Sequence, residues 1–232
     1  MQQLGRARTT VGRIAVTVLT GAFLVTPWSC GRPADQANAV SDTQSYPSIN
    51  SRWRSPSIYV CWESSANAYP VDKIWVQTRV KREYESKTNV QFLGWGQCIP
   101  GEQGVHVAVS DNPGDNPHTN ALGRYLNGMS HGMELNFTFN NWSQSCKSDR
   151  RKCLESIAVH EFGHAIGLAH EQNRPDTPTT CNQPRQGANG DREIGSWDLN
   201  SVMNYCNPVY NNNGVLSSGD VAGVAVLYGE KR

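Results

Sequence analysis

The chain has no internal repeat, no block of like charge and no apolar run long enough to span a bilayer. Its most apolar stretch, Ile14–Val25, falls short of the ~20 residues that a transmembrane helix needs. Acidic and basic residues nearly cancel at a formal net charge of +1, and no basic stripe is present, which argues against a nucleic-acid partner. The absence of a repeat excludes solenoid and array architectures. What is there instead is 38% hydrophobic residues, 21 Gly and 12 Pro in 232 positions, a composition that fits one loop-rich globular domain. Arg6, Arg8 and Arg13 precede Ile14–Val25, and a basic start followed by a short apolar run reads as a secretory signal, with an uncleaved anchor as the alternative.

The expected boundaries are a signal over 1–30, a linker or short pro-segment over 31–50, and the folded domain over 51–232. Ala37-Asn38-Ala39 offers a cleavage point as late as 39. Setting Cys30 aside leaves six cysteines, an even set that implies three disulfides in an exported protein. Fifteen pairings are open. The preferred set, Cys61–Cys98, Cys146–Cys153 and Cys181–Cys206, closes a short segment each time. Cys30 stands alone at the end of the signal region, so a lipid-anchored N-terminus at the cell envelope is the alternative to free secretion. Membrane association is expected only by that route.

The densest signal is His160-Glu161-Phe-Gly-His164-Ala-Ile-Gly167-Leu-Ala-His170. His160 and His164 stand four apart, so on a helix their imidazoles share a face and can grip one cation. Glu161 falls between them, off the metal axis but near enough to a water on the metal to serve as general base. Gly167 lets the chain leave the helix sharply through a left-handed conformation. His170 can then return as third ligand, and three neutral imidazoles leave one tetrahedral position open, as in catalytic rather than structural Zn²⁺ sites.

This spacing is the metzincin signature, and Glu171-Gln172-x-Arg174-Pro175-Asp176 after it resembles the astacin family. Ser201-Val202-Met203-Asn204-Tyr205 looks like that family's Met-turn, although Cys206 follows where members commonly carry glycine. The resemblance implies that Met203 packs beneath the metal ligands, with Gly167 as the other structural residue. It also implies that Tyr205 is a fifth metal ligand or an oxyanion stabiliser. It further implies an upper lobe over about 51–167, a lower lobe over about 168–232, and a cleft holding an extended peptide.

The expected fold is α+β and metzincin-like. A small twisted mixed sheet is backed by one helix, the zinc-site helix lies beneath it, and an irregular C-terminal lobe ends in a helix. Strands are expected at Ile58–Glu63, Val90–Trp95 and Val105–Ser110, and an amphipathic helix at Val71–Lys87 with Ile74, Val76, Val80 and Tyr84 inward. Gly132–Phe139 alternates as an edge strand, which in metzincins pairs with substrate backbone. The zinc helix should start at a cap, Ser148 or Asp149, and run to about Leu168; ordered structure should begin near Trp53 and close with a helix over Ser217–Tyr228.

The resulting expectation is a monomeric exported endopeptidase with one catalytic Zn²⁺ held by His160, His164 and His170, Glu161 as general base, and protein or peptide substrates. Two rivals stay open: a matrixin-like metzincin without tyrosine ligation, and a non-hydrolytic zinc-stabilised binding module. Asp35, Asp42 or Cys30 could reach the metal and impose latency. His106, His118 and His131 lack metal spacing and are assigned no function.

Overall fold

Ile58, Val60 and Trp62 are buried while Ser57 and Tyr59 are exposed, the period-two alternation that turns one strand face to a core. The strand they form is β1, Ser57–Trp62; it is followed by β2, Gln91–Gln97, β3, Val105–Val109, β4, His118–Thr119, and β5, Met129–Leu135. The computed structural model describes residues 44–232. The expected signal region, Cys30, Asp35 and Asp42 lie outside them.

The five strands form one sheet in the order β2-β1-β3-β5-β4, all parallel except the antiparallel β4–β5 pair. Parallel neighbours need a crossover, and β1 reaches β2 through helix α1, Pro70–Val80, which continues into a π-helical turn, Lys81–Glu85. Pro70 opens α1, where a missing amide hydrogen costs nothing. Val76, Val80 and Tyr84 are buried at four-residue steps, whereas Ile74, expected inward, is 61% exposed. Two residues before Val76 is a rotation of about 200° on a helix, which sends Ile74 to solvent.

The expectation of an edge strand over Gly132–Phe139 is corrected. β5 begins earlier and lies inside the sheet; the cleft-side edge is the two-residue β4, paired His118 to Glu134 and Thr119 to Met133. Alternation runs on past Leu135 because Phe137 and Phe139 are also buried, but the ladder stops. Asn136 Oδ1 accepts the amide N–H groups of Thr138 and Phe139, and Phe139 has φ 56°, so the chain turns away.

Helix α3, Arg150–Ile166, runs under the sheet with Leu154, Ile157, Ala158, Phe162 and Ala165 buried. Its packing against β2 includes an edge-to-face contact of Phe162 on Phe92, with ring centroids 4.9 Å apart. Asp149 precedes it without a side-chain cap bond, contrary to expectation, because the chain has just left a short helix α2, Gln144–Ser148. Ser148 belongs to α2 and donates to the Gln144 carbonyl. The Cys146–Cys153 disulfide ties α2 to the first turns of α3, and Cys61–Cys98 and Cys181–Cys206 complete the pairing expected from the sequence.

Beyond α3 the chain is irregular until helix α4, Ser218–Tyr228, apart from single turns at Glu171–Asn173 and Tyr210–Gly214. Packed chain begins before Trp53. Ser45 pairs with Ile194 and Pro47 with Leu168, so residues 45–48 are woven into the chain that follows α3. No helix among the described residues is long and apolar enough to cross a membrane.

Candidate metal centre and cleft

α3 ends where Gly167 adopts φ 105°, with its amide bonded to the His164 carbonyl. That turn is open to glycine and strained for any residue with a Cβ. It brings His170 back against the helix, so the Nε2 atoms of His160 and His164 each lie 3.2 Å from Nε2 of His170. All three rings are buried.

The protonation state of the trio follows from what holds the other ring nitrogens. His160 Nδ1 lies 2.7 Å from the Val202 carbonyl, His164 Nδ1 2.8 Å from the Leu168 carbonyl, and His170 Nδ1 2.9 Å from the Gln186 carbonyl. Carbonyls only accept, so each Nδ1 carries the proton and each Nε2 presents a lone pair. Burial, reinforced by the neighbouring His170, holds His160 down to about 3, and burial depresses the other two as well. Three neutral acceptors pressed together cannot hydrogen-bond one another. They suit a cation, and the all-imidazole donor set suits Zn²⁺. A second trio, Cys61, Cys98 and His106, offers no such site because its sulfurs are bonded to each other.

Glu161 is buried, and burial raises its carboxyl to about 7 against the opposing hydrogen bond from Thr119. Thr119 Oγ1 donates to Glu161 Oε2 over 2.7 Å, so the edge strand β4 fixes the carboxyl. Sequence inspection missed Thr119, since a two-residue strand shows no periodicity. Tyr205 stacks on His160 with ring planes 14° apart, and its hydroxyl is 3.5 Å from His160 Nε2. Histidine, glutamate and tyrosine all line one cleft of about 760 Å³.

Met203 lies under this constellation. A Cβ on Gly163 would come within 2.4 Å of Met203 Sδ and 3.1 Å of the Tyr84 hydroxyl, so the helix is bare at the one place where the methionine approaches it. Tyr84 also donates to the Val159 carbonyl over 2.7 Å. Gly163 and Tyr84 too were missed: the histidine spacing leaves the position of Gly163 unspecified, and Tyr84 comes from a distant helix.

The Met-turn is tied to the C-terminal helix through Asp220. Its carboxylate accepts the Ser201 hydroxyl over 2.6 Å and the Val202 amide over 3.0 Å, and it completes the capping box of α4 with Ser217. Burial pushes it up to about 6 in spite of these donors. One residue therefore joins the α4 cap to the segment whose Val202 carbonyl orients His160. Asp220→Ala would leave the Ser201 and Val202 donors unpaired and remove half the capping box. The expected loss is on the order of 2–4 kcal/mol of stability, read as a lower denaturant midpoint at unchanged slope.

Known proteins share parts of this design. Residues 103–183, from β3 through His170 to Cys181, match the sequence model of the matrixin peptidases. Interstitial collagenase of Bos taurus is 22% identical over 182 residues, covering 73% of this chain and 33% of the collagenase, so the match spans about a third of that relative's length. Among solved structures, myroilysin superposes with a TM-score of 0.56 at 18% identity, covering 80% of this chain and 99% of the other. The hatching enzyme HCE-1 of Oryzias latipes, a zinc-protease, gives 0.52 at 16% identity, with coverage of 79% and 97%. At these identities the structural likeness speaks for the fold. By its mixed sheet, its helix order and these matches, the chain has the fold of the metzincins, with a matrixin-like segment carrying the histidine motif.

Proposed function

We propose that this protein is an exported zinc endopeptidase, with His160, His164 and His170 as metal ligands. One observation carries the reading: three buried imidazoles, each locked by a backbone carbonyl into the same tautomer, converge beside a buried glutamate in an open cleft. Bound there, Zn²⁺ would act as a Lewis acid toward a scissile carbonyl and an attacking water. Glu161, steadied by Thr119, takes the proton from the attacking water and delivers it to the leaving amine. Tyr205 donates a hydrogen bond to the oxyanion that develops on the carbonyl. The extended peptide pairs its backbone with the outer edge of β4, the edge left open at the cleft side of the sheet.

Within the metzincins we read the site as astacin-like, because the Tyr205 hydroxyl lies beside the imidazole focus and is available as a fifth ligand in the resting state. The matrixin-like alternative, without tyrosine ligation, draws on the match over 103–183. A zinc-loaded crystal structure with the Tyr205 hydroxyl beyond coordination distance would favour it. Export is supported by the three disulfides, which persist in oxidising compartments. In this reading 1–30 is the signal, with cleavage up to 39, the linker ends before Ser45 rather than at 50 because residues 45–48 pack against Leu168 and Ile194, the folded chain from there to 232 carries catalysis, and the mature protein is monomeric and secreted; anchoring through Cys30 is the alternative.

The test is cleavage of a diverse quenched-peptide library with and without a zinc chelator, followed by zinc add-back. Hydrolysis is expected to fall to background with chelator and to return with Zn²⁺. A folded, zinc-loaded protein that cleaves nothing would favour the binding-module reading, in which the metal site only stabilises a surface for a protein partner.

A further inference from the structure

Pro208, Val209 and Tyr210 are consecutive and all exposed, Val209 by 40% and Tyr210 by 48%. A run of exposed apolar side chains is a liability in water unless a ligand covers it. These three line a second cavity, of about 660 Å³, together with residues of α2 and the first turns of α3, which the Cys146–Cys153 disulfide joins. Tyr210 and Trp142 line both this cavity and the cleft that holds His160 and Glu161, so the two hollows adjoin along those side chains.

The partition between them is held from three sides. Trp142 Nε1 donates to Asn116 Oδ1 over 2.5 Å. Gly214, at φ 65°, seats the turn Tyr210–Gly214 directly on α3, since a Cβ there would come within 2.9 Å of Ser156 Cα. Arg79, on α1, donates to the carbonyls of Asn213 and Gly214, each at 2.8 Å. Apolar surface backed in this way is pre-organised, so covering it costs a ligand little ordering of the protein.

Distance along α3 sets what can reach it. From His160 back to Cys153 and Lys152 the helix rises about 10–12 Å at ~1.5 Å per residue. An extended chain covers that span in three or four residues at about 3.3 Å each.

We infer that the second cavity is a remote subsite of the peptidase, which takes an aromatic or large aliphatic side chain from the third or fourth substrate residue on one side of the scissile bond. Because the cavity continues the cleft, its occupant is the substrate itself, crossing Trp142 and Tyr210 on its way. Asp149 and Lys152 both line the cavity, so opposite charges offset each other there and the exposed apolar surface decides the preference. The inference deepens the peptidase reading and rests on it.

The experiment uses zinc-loaded protein and one cleavable quenched peptide, extended a residue at a time on either side, with Ala, Phe, Leu, Glu or Lys at the added position. On one side only, at the third or fourth residue from the scissile bond, Phe or Leu is expected to raise kcat/KM about 5- to 20-fold over Ala. Val209→Asp keeps the backbone bonds of that residue, the amide to Asn207 Oδ1 and the carbonyl from the Asn212 amide, and places a carboxylate in the cavity wall. Preference at that position should move from Phe to Lys, while peptides too short to reach the cavity are cleaved as by wild type. Lys152→Glu, at an exposed position of α3, should move it the same way and serves if the first variant does not fold. Chelator-sensitive cleavage with no gain at the third or fourth residue, or a Phe preference unchanged in a folded variant, overturns the inference and leaves the peptidase standing. Absence of chelator-sensitive cleavage overturns both.

Discussion

Glu161→Gln should lower kcat by about 10²- to 10⁴-fold while bound zinc, measured by atomic absorption, stays at the wild-type level. The change is nearly isosteric, and the glutamine oxygen still accepts the Thr119 hydroxyl that now holds Glu161 Oε2 at 2.7 Å. Position and packing are therefore kept while the basic oxygen is lost, which isolates proton transfer from metal binding. KM should change little, because in the proposed binding mode extended substrate is held by β4 rather than by this carboxyl. Undiminished turnover in a variant with intact zinc would remove Glu161 from the mechanism. Loss of zinc together with activity would instead make it a structural support for the ligands.

The largest expected effect on stability comes from Arg174, whose side chain is fully buried. Its guanidinium donates to the carbonyls of Ser45 at 2.7 Å, Ile194 at 3.2 Å and Gly195 at 2.7 Å, and grips Asp176 through two bonds of 2.7 and 2.8 Å. Nε also lies 3.4 Å from Glu171, whose carboxyl is raised to about 8 by burial against the Asp198 amide and Arg174. Truncation strands these acceptors together, so Arg174→Ala is expected to cost about 3–5 kcal/mol, the range for breaking a buried charge pair. Arg174→Lys should recover only part, since an ammonium lacks the planar fork. Urea unfolding monitored by tryptophan fluorescence provides the measurement; a loss below about 1 kcal/mol, the surface-pair range, would mean that water takes over the role of the guanidinium. Limited proteolysis should also show the segment at Ser45 released, because it is held to Ile194 partly through Arg174.

These two residues differ in how visible they are before folding. Glu161 is legible because its meaning lies in local spacing: the helical repeat puts His160 and His164 on one face, and Gly167 supplies the turn that returns His170. Arg174 carries no local signal, and its partners at Ser45 and Ile194 become neighbours only when the chain folds. The same division runs through the fold. Short-range disulfides follow from sequence separation, β1 follows from alternation, and β2 and β3 from short runs of strand-forming residues. Residue type alone puts Ile74 inward where helical phase sends it to solvent, and the alternation over Gly132–Phe139 reports burial of one face but is silent on which strands lie beside it.

By itself, the sequence determined the chemistry on offer: a helix bearing two histidines and a glutamate, a left-handed exit at Gly167, a third histidine and a tyrosine after a methionine turn. Tertiary structure alone decided how that chemistry is held. The Val202, Leu168 and Gln186 carbonyls set each imidazole tautomer, Thr119 fixes Glu161, and Asp220 joins the last helix to the turn at Met203. The physical reason is range. Side-chain periodicity is set by backbone geometry within a few residues, whereas hydrogen-bond partners and sheet neighbours far apart in the chain are chosen only when the buried surfaces close upon one another.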